Sequence, residues 1–398
     1  MPIHAFMINR RFLRTQVMQS LYGLQVDLQT AIDVAMAKFD EDLFQQSFNA
    51  SEPQEQMLEK KENAHVVFQM LKNQAISNRS PALFQEDVRP LAATALAFAL
   101  EKHKAESTRK IKLMHSNLSF AFDSYIALLL LAAEFPSQLT NEVQVNEDRY
   151  VPQIPLTFQE QKLARNPTLL ALATSKELQT AAIRLGISWE KKQDEVKTIY
   201  LEGLKKTKRY TDYIAEEETD ENHFKFFKWL GKNFLFANQT VEDIMEERSS
   251  YWAELKQATA QLFTETIKRW PANADEPLVI FEKDAEFDSD FQFMKSLYTS
   301  TIDSQANTDL MVAQVVEKWD MNRIAMVDLI IIQMAVAEFV SLADVPIKTT
   351  MNEYLEIAKI YSTPDSSKFI NGILDKVAKQ MQAQKLIKKS AKGLIDVA

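Results

Sequence analysis

The side chains that could perform catalysis are few and scattered in this sequence. Its 398 residues include no cysteine, which excludes thiol nucleophiles, zinc–thiolate sites and disulfides. Its six glycines form neither a G-x-G-x-x-G motif nor a Walker loop, which argues against a nucleotide-phosphate cradle. No two of the five histidines have the spacing of metal ligands: His4, His65, His103, His115 and His223. The sequence therefore predicts no enzyme, no metal site and no bound cofactor.

Three arginines near the N-terminus form the clearest charged motif. Arg10 and Arg14 are one helical turn apart, and Arg11 lies close by. An apolar stripe at spacings of four, four and three runs beside them and consists of Leu13, Val17, Leu21 and Leu24. Because the first turn of a helix disfavours cations, two interpretations stay open. The arginines are a solvated helix start, or an anionic partner compensates their charge.

The turn residues are rare, which predicts long helices and an all-α fold. Only 6 glycines and 12 prolines are present, too few for a sandwich, a barrel or a doubly wound sheet. Helical patterns cover residues 62–75, 88–103, 108–135 and 168–185. We expect breaks at residues 80–81, at Pro136 and at residues 152–155, and a helix start at Asn166-Pro167.

The connecting segments are less regular. Residues 141–155 are the best candidate for an extended linker, and residues 278–281 could form a short strand. The acidic run EEETDE at 216–221 fits a solvated loop or helix start better than a metal site. Six identities at an offset of 67, between residues 226–262 and 293–329, leave an internal duplication open.

The most specific pattern lies in the last hundred residues. The segment MVDLIIIQMAVAEFV at 326–340 is apolar on nearly all sides and predicts the buried central helix of a bundle. The segment TMNE at 350–353 predicts a capping box that opens the next helix. The segment STPD at 362–365 combines a cap, a first-turn proline and an acid, which predicts another helix start.

These segments resemble the family of the transcription antitermination protein NusB. The resemblance rests on DVPIKTTMNEYLEIAKIYSTPDSSKFINGILDKVA (344–378), VDLIIIQMAVAEF (327–339) and RRFLRTQVMQSLYG (10–23), and residues 291–319 are similar to the family's third helix region. It implies an all-α NusB-like helical bundle with an additional helical subdomain inserted after the first helix. The expected organisation is an arginine-rich first helix at 1–30, an acidic helical insertion at 31–289, the NusB-like core at 290–384 and a basic tail at 385–398.

The resemblance also implies a function. It points to an antitermination factor for ribosomal RNA operons that binds boxA-like single-stranded RNA together with the ribosomal protein NusE, within the transcription elongation complex. The residues that match RNA-contacting positions are Arg10, Arg11, Arg14, Tyr22, Asp365 and Lys368. Tyr22 and Asp328 match positions at the NusE interface, although Tyr22 could instead be core packing and Asp365 only a cap. Phe12 stands where many relatives have a further basic residue.

The charge is unevenly distributed along the chain. The formal net charge is −9, of which residues 31–289 carry −10, residues 1–30 carry +2 and residues 290–398 carry −1. This acidic insertion supports an alternative, a helical scaffold that keeps the NusB fold and has changed partners. An RNA cytosine-5 methyltransferase, another context in which NusB-like domains occur, would need the cysteine and the glycine loop that this sequence lacks.

The sequence favours a cytoplasmic protein without a membrane segment. The N-terminal residues lack the apolar centre of a signal peptide. The longest apolar run, 126–133, is shorter than the roughly 20 residues that span a bilayer.

Overall fold

The computed structural model describes residues 8–49, 53–54, 57, 61–62, 64–66, 68, 89–147, 156–271, 276–316 and 324–390. These residues are mostly helical and include no strand, which confirms the all-α prediction. Their α-helices are α1 (Arg10–Asn49), α2 (Arg89–Glu147), α3 (Pro167–Thr174), α4 (Lys176–Leu185), α5 (Gln193–Thr198), α6 (Lys208–Ala215), α7 (Asp220–Trp229), α8 (Gln239–Arg248), α9 (Trp252–Lys268), α10 (Ala285–Val315), α11 (Met326–Ser341), α12 (Ile347–Tyr361) and α13 (Ser366–Ala383). Short 3₁₀ turns occur at Glu160–Arg165, Glu190–Lys192 and Leu204–Lys206, and π-helical turns at Ile199–Gly203 and Leu230–Phe234.

The chain divides into two compact units. Unit 1 comprises residues 1–9 and 115–290, and unit 2 comprises residues 10–114 and 291–398. The divisions at 114/115 and 290/291 fall inside α2 and α10, respectively. Unit 1 contains 30 Asp and Glu against 20 Lys and Arg, a net charge of −10, which leaves +1 for unit 2. The acidity of the chain therefore belongs to unit 1.

The core of unit 2 is built around α11. Nearly every side chain from Ile330 to Phe339 is buried, as the all-round apolar pattern predicts. Helices α1, α12 and α13 pack against it. The amphipathic face of α13 contributes Ile370, Ile373, Leu374 and Val377. A fully apolar helix thus becomes the centre of a four-helix arrangement, because each of its faces needs a partner that excludes water.

A second apolar cluster in unit 2 explains why α1 continues to Asn49, well past residue 30. Spacings of three, four and four place one set of α1 side chains on a single face, and this face packs on short residues of α2. The cluster consists of Ile32, Ala35, Phe39, Leu43, Ala64, Phe68, Ala92, Ala95, Leu96 and Ala99.

Unit 1 has an aromatic core formed by α2, α6, α7 and α9. The rings of Tyr213 and Phe226 stack at 3.9 Å between centroids. The buried hydroxyl of Tyr125 lies 2.5 Å from that of Thr266, and burial raises the pKa of Tyr125. The indole N–H of Trp189 donates to the Ala127 carbonyl at 2.8 Å. The polar groups of Tyr125 and Trp189 thus have hydrogen-bond partners inside the core.

Several predicted boundaries in unit 1 are wrong. Helix α2 passes through Pro136 and includes residues 141–147 of the predicted linker. Pro136 removes only one backbone donor, and the buried Phe135 and Leu139 on either side stabilise the helix. The predicted helix 168–185 is two helices, because the Ser175 hydroxyl accepts a hydrogen bond from Leu178 N–H and caps α4.

Two other local predictions have different outcomes. Asn166 caps α3 and Pro167 occupies its first turn, which confirms the predicted helix start. Residues 278–281 are not a strand. Leu278 and Phe281 are buried, but the segment has no neighbouring strand with which to pair among the described residues.

Some predictions lie outside the described residues. These are the break at 80–81, residues 69–75 of the predicted helix 62–75, residues 148–155 of the linker, His4, and residues 391–398 of the basic tail. The internal duplication also stays a prediction.

One described helix segment, Pro90–Asn141, is long and apolar enough to meet the length and composition criteria for a membrane span. The uninterrupted apolar run at 126–133 is much shorter than this segment, because polar residues interrupt the apolar pattern of the helix. Of the most apolar 18-residue window, 67% is buried within the protein. Such burial is typical of a core helix in a soluble protein and makes the span weak evidence for a membrane.

Gly231 tests how tightly the core of unit 1 is packed. A Cβ at this buried position would overlap the ring of Phe263, so Gly231→Ala should destabilise the protein by about 1–3 kcal/mol. At Gly372, inside α13, a Cβ meets no atom within 4 Å, and Gly372→Ala should stabilise by roughly 0.5–1 kcal/mol. Urea unfolding measures both changes. A neutral Gly231→Ala would contradict the close packing.

Candidate nucleic-acid interface

The arginine motif lies at the start of α1. The stripe of Leu13, Val17, Leu21 and Leu24 is buried, as its spacing predicts. The helix begins at Arg10, so all three arginines fall in its first two turns, and no acidic residue occupies the first turn. Acidic residues from other helices compensate the positive charges of Arg11 and Arg14 instead.

Arg14 forms a buried ion pair with Glu338 of α11. Its Nε donates to Glu338 Oε2 at 2.8 Å and its Nη2 donates to Oε1 at 2.6 Å. The side chain of Arg14 is 3% exposed and that of Glu338 is 0% exposed. Two hydroxyls from α12 complete the carboxylate's shell, with Thr350 Oγ1 at 2.9 Å and Tyr354 Oη at 3.0 Å. The carboxylate therefore accepts four hydrogen bonds, which offsets its desolvation.

The protonation states follow from this network. Burial alone lowers the pKa of Arg14, but the hydrogen bonds and charge of Glu338 outweigh burial and raise it above its ordinary value. Burial, together with the negative charge of Glu338, raises the pKa of Tyr354 well above its ordinary value. At neutral pH Arg14 is a cation and the Tyr354 hydroxyl is a donor, as the observed contacts require.

Arg11 and Arg10 lie nearer the surface. Arg11 is 39% exposed and makes a two-pronged contact with Glu353 of α12, from Nε at 2.9 Å and Nη2 at 3.0 Å. The hydrogen bond that Arg11 donates to Glu353 is the main cause that raises the pKa of Arg11. The guanidinium of Arg10 lies over the ring of Phe293, 4.3 Å from its centroid. Both cations are held in place by aromatic or carboxylate partners.

The position of Arg14 differs from the expectation of an RNA-contacting arginine. Its guanidinium is enclosed and joins α1 to α11.

The capping box predicted at 350–353 is wrong, because α12 begins one turn earlier, at Ile347, after Pro346. Thr350 instead donates a hydrogen bond to Glu338, the partner of Arg14, and Glu353 accepts hydrogen bonds from Arg11. Glu338 and Glu353 were not among the predicted site residues, although both bind the arginines. For Glu338 a signal existed, since it is one of two acids in the otherwise apolar α11.

The second of those acids, Asp328, is also buried. It is 5% exposed and accepts hydrogen bonds from Ser362 Oγ at 2.5 Å and Ser366 Oγ at 2.8 Å. This position differs from the expectation of a residue that faces a partner protein. Ser362 therefore does not cap α13, which begins at Ser366, and Asp365 precedes that helix without a capping hydrogen bond. The carboxylate of Asp328 joins the start of α11 to the start of α13.

The remaining predicted site residues are accessible. Asp365 and Lys368 are exposed at the start of α13, and Tyr22 is 42% exposed on α1. Tyr22 lies 11 residues beyond Arg11, roughly 16 Å along the helix axis. The predicted residues thus form an arginine group on α1, a group at the start of α13, and Tyr22 further along α1.

The architecture of unit 2 defines the class of protein: an all-α helical-bundle domain whose first helix begins with a group of three arginines. Residues 245–379 match the model of the NusB family, so the chain contains a NusB-family domain. The match begins 45 residues before position 290, and it does not include α1. The domain boundaries inferred from the sequence stay a prediction.

Three curated relatives named "Transcription antitermination protein NusB" are similar to part of the chain. The protein of Chloroherpeton thalassium is 39% identical over 105 residues, which are 26% of this chain and 50% of the relative. That of Salinibacter ruber is 33% identical over 103 residues, 26% of this chain and 64% of the relative. That of Desulforamulus reducens is 40% identical over 88 residues, 22% of this chain and 62% of the relative. The chain thus spans less than two thirds of each relative, and no solved structure matches it.

The ion pair gives a direct test. Arg14→Met leaves a buried carboxylate without its cation and should cost about 3–5 kcal/mol of unfolding free energy. The double variant Arg14→Met, Glu338→Leu removes both charges and should lose less than the sum of the two single variants. Arg11→Met, at the exposed pair, should cost at most about 1 kcal/mol. Urea unfolding distinguishes the cases. Equal losses of unfolding free energy for Arg14→Met and Arg11→Met would contradict the conclusion that the buried pair of Arg14 stabilises the fold more than the exposed pair of Arg11.

Proposed function

We propose that the protein is a transcription antitermination factor that binds boxA-like single-stranded RNA of ribosomal operons together with the ribosomal protein NusE. The observation that carries this proposal is the NusB-family match of residues 245–379, with relatives of that name at 33–40% identity. The protein would act in the cytoplasm, in contact with the transcription elongation complex, and would bind rather than catalyse.

The RNA surface proposed here consists of Arg10, Arg11, Tyr22, Asp365 and Lys368. Arg11 and Lys368 provide accessible cations for phosphates. Tyr22 provides an exposed ring on which a base can stack. Arg14 supports this surface indirectly, since its pair with Glu338 fixes the helix that presents Arg10 and Arg11.

The charges of the two units support the choice of unit 2. RNA is a polyanion, and binding to it gains from local positive charge. Unit 2 carries +1 and contains every residue of the proposed surface, whereas unit 1 carries −10. The acidic composition of the whole chain is therefore no obstacle to RNA binding by unit 2.

Removing cations should weaken RNA binding in a salt-dependent manner. Each phosphate contact on single-stranded RNA contributes about −0.7 to the slope of log K against log salt. The triple variant Arg10→Ala, Arg11→Ala, Lys368→Ala should therefore flatten the slope by up to about 2. The measurement is fluorescence anisotropy with a boxA RNA oligonucleotide at several salt concentrations.

The matched control removes three cations from unit 1, as Lys205→Ala, Lys206→Ala, Lys208→Ala. It should leave both the affinity and the slope nearly unchanged. If the two triple variants behave alike, the arginines are a solvated helix start and the proposed surface is incorrect.

Coupling to NusE gives a separate prediction. Linkage between two ligands typically amounts to about 1–3 kcal/mol, so NusE should raise the RNA affinity of the wild type roughly 5–150-fold. Tyr22→Ala should reduce this enhancement, while Tyr251→Ala, a tyrosine of unit 1 with a similar exposure of 39%, should preserve it. Asp328 is unsuited to this test, because its replacement would break the two buried hydrogen bonds from Ser362 and Ser366.

Capture of binding partners from a cell lysate, with and without ribonuclease, distinguishes the antitermination factor from the alternative, an interaction scaffold. Recovery of NusE and ribosomal leader RNA supports antitermination. Recovery of neither, together with no enhancement by NusE in the titration, supports a NusB fold that has changed partners.

A further inference from the structure

A cavity in unit 1 shares no residue with the proposed RNA surface. It has a volume of about 920 Å³ and is enclosed by α3, the start of α4, α7, the end of α9 and residues 276–278. This volume lies within the range of ligand pockets. We propose that the cavity binds an extended, cationic, proline-containing peptide segment of a partner protein.

The floor of the cavity is aromatic. Trp270 and Phe224 line it with ring centroids 5.8 Å apart, and Phe227 supports Trp270 from behind at 5.0 Å. Both lining rings are half-buried, so each presents part of its surface to the cavity. Aromatic grooves of this kind accept proline side chains, since an extended proline-rich chain is already ordered before it binds. The indole face also attracts guanidinium and ammonium groups.

The rim of the cavity is acidic. Its charged side chains are Glu177, Asp220, Glu221 and Glu276 against Lys176 and Lys268. Lys268 already donates to Glu265 at 2.6 Å, and Glu221 is paired with Lys225 at 2.8 Å, which reduces the effect of both on the cavity. Asp220 forms no ion pair within the part of the chain that the structure describes. The surrounding unit carries −10, which repels nucleic acid and attracts a cationic chain.

A threonine hydroxyl in the wall of the cavity can contact a ligand. Thr168 lines the cavity. Its backbone N–H donates to the Asn166 side chain at 3.0 Å, and its hydroxyl makes no hydrogen bond to another described residue. A backbone carbonyl of a peptide in the cavity would accept a hydrogen bond from this hydroxyl.

The test uses a labelled peptide of alternating arginine and proline, with a peptide of alternating glutamate and proline as its control. Fluorescence anisotropy with the full chain should show binding of the first peptide only, weakened by added salt. Trp270→Ala should weaken binding about 30-fold, as expected for a central aromatic anchor. Asp220→Asn with Glu221→Gln should weaken it roughly 3–10-fold.

Two further variants keep the test independent of folding. Trp270→Phe retains a ring in the floor and should keep most of the affinity. Glu246→Gln with Glu247→Gln removes the same charge from exposed positions on α8 and should change nothing. The proposal is overturned if the wild type does not bind the arginine–proline peptide, if the glutamate–proline peptide binds equally well, or if both the Trp270→Ala and the Asp220/Glu221 variants retain full affinity. An RNA oligonucleotide that competes for the cavity would overturn it as well.

Discussion

A single buried carboxylate fixes the geometry of unit 2. Glu338 is completely enclosed, and an enclosed carboxylate is tolerated only when its charge and lone pairs are matched. Its four hydrogen bonds come from Arg14 on α1 and from Thr350 and Tyr354 on α12. The carboxylate of Glu338 therefore connects three helices, α1, α11 and α12. A shift of any of them by a fraction of a turn would leave a buried charge or hydroxyl without its partner.

The surface arginines depend on this constraint. Arg11 lies about one turn before Arg14 on α1, and Glu353 directly precedes Tyr354 on α12. Glu353 also lies 3.9 Å from Arg14, so the inner and outer pairs belong to one network that extends from the core to the solvent. Once the inner pair sets the register of α1 against α12, the positions of Arg10 and Arg11 follow. Preorganisation of this kind lowers the entropic cost of binding an extended, flexible partner.

The sequence predicts the apolar contacts of unit 2 better than its polar contacts. The stripe on α1 and the all-round apolar α11 were identified because burial repeats with the helical period. The polar residues gave misleading patterns. Thr350 and Glu353 have the spacing of a capping box, yet both face other helices. A one-dimensional pattern records the distance between two polar side chains along the chain but not which helix they face. For the same reason the sequence pattern does not reveal that Arg14 and Asp328 are buried, and the aromatic cavity of unit 1 has no recognised motif.

The division of charge between the units bears on what the protein can bind. The formal net charge of the whole chain, −9, would argue against an RNA partner. The fold assigns −10 to residues 1–9 and 115–290 and +1 to the rest, so each unit has its own electrostatic preference. A near-neutral unit with exposed arginine and lysine suits an anionic strand, while an acidic unit with an aromatic cavity suits a cationic chain. The two proposals therefore place partners of opposite charge on different units, so that an RNA strand and a cationic peptide would not compete for the same unit.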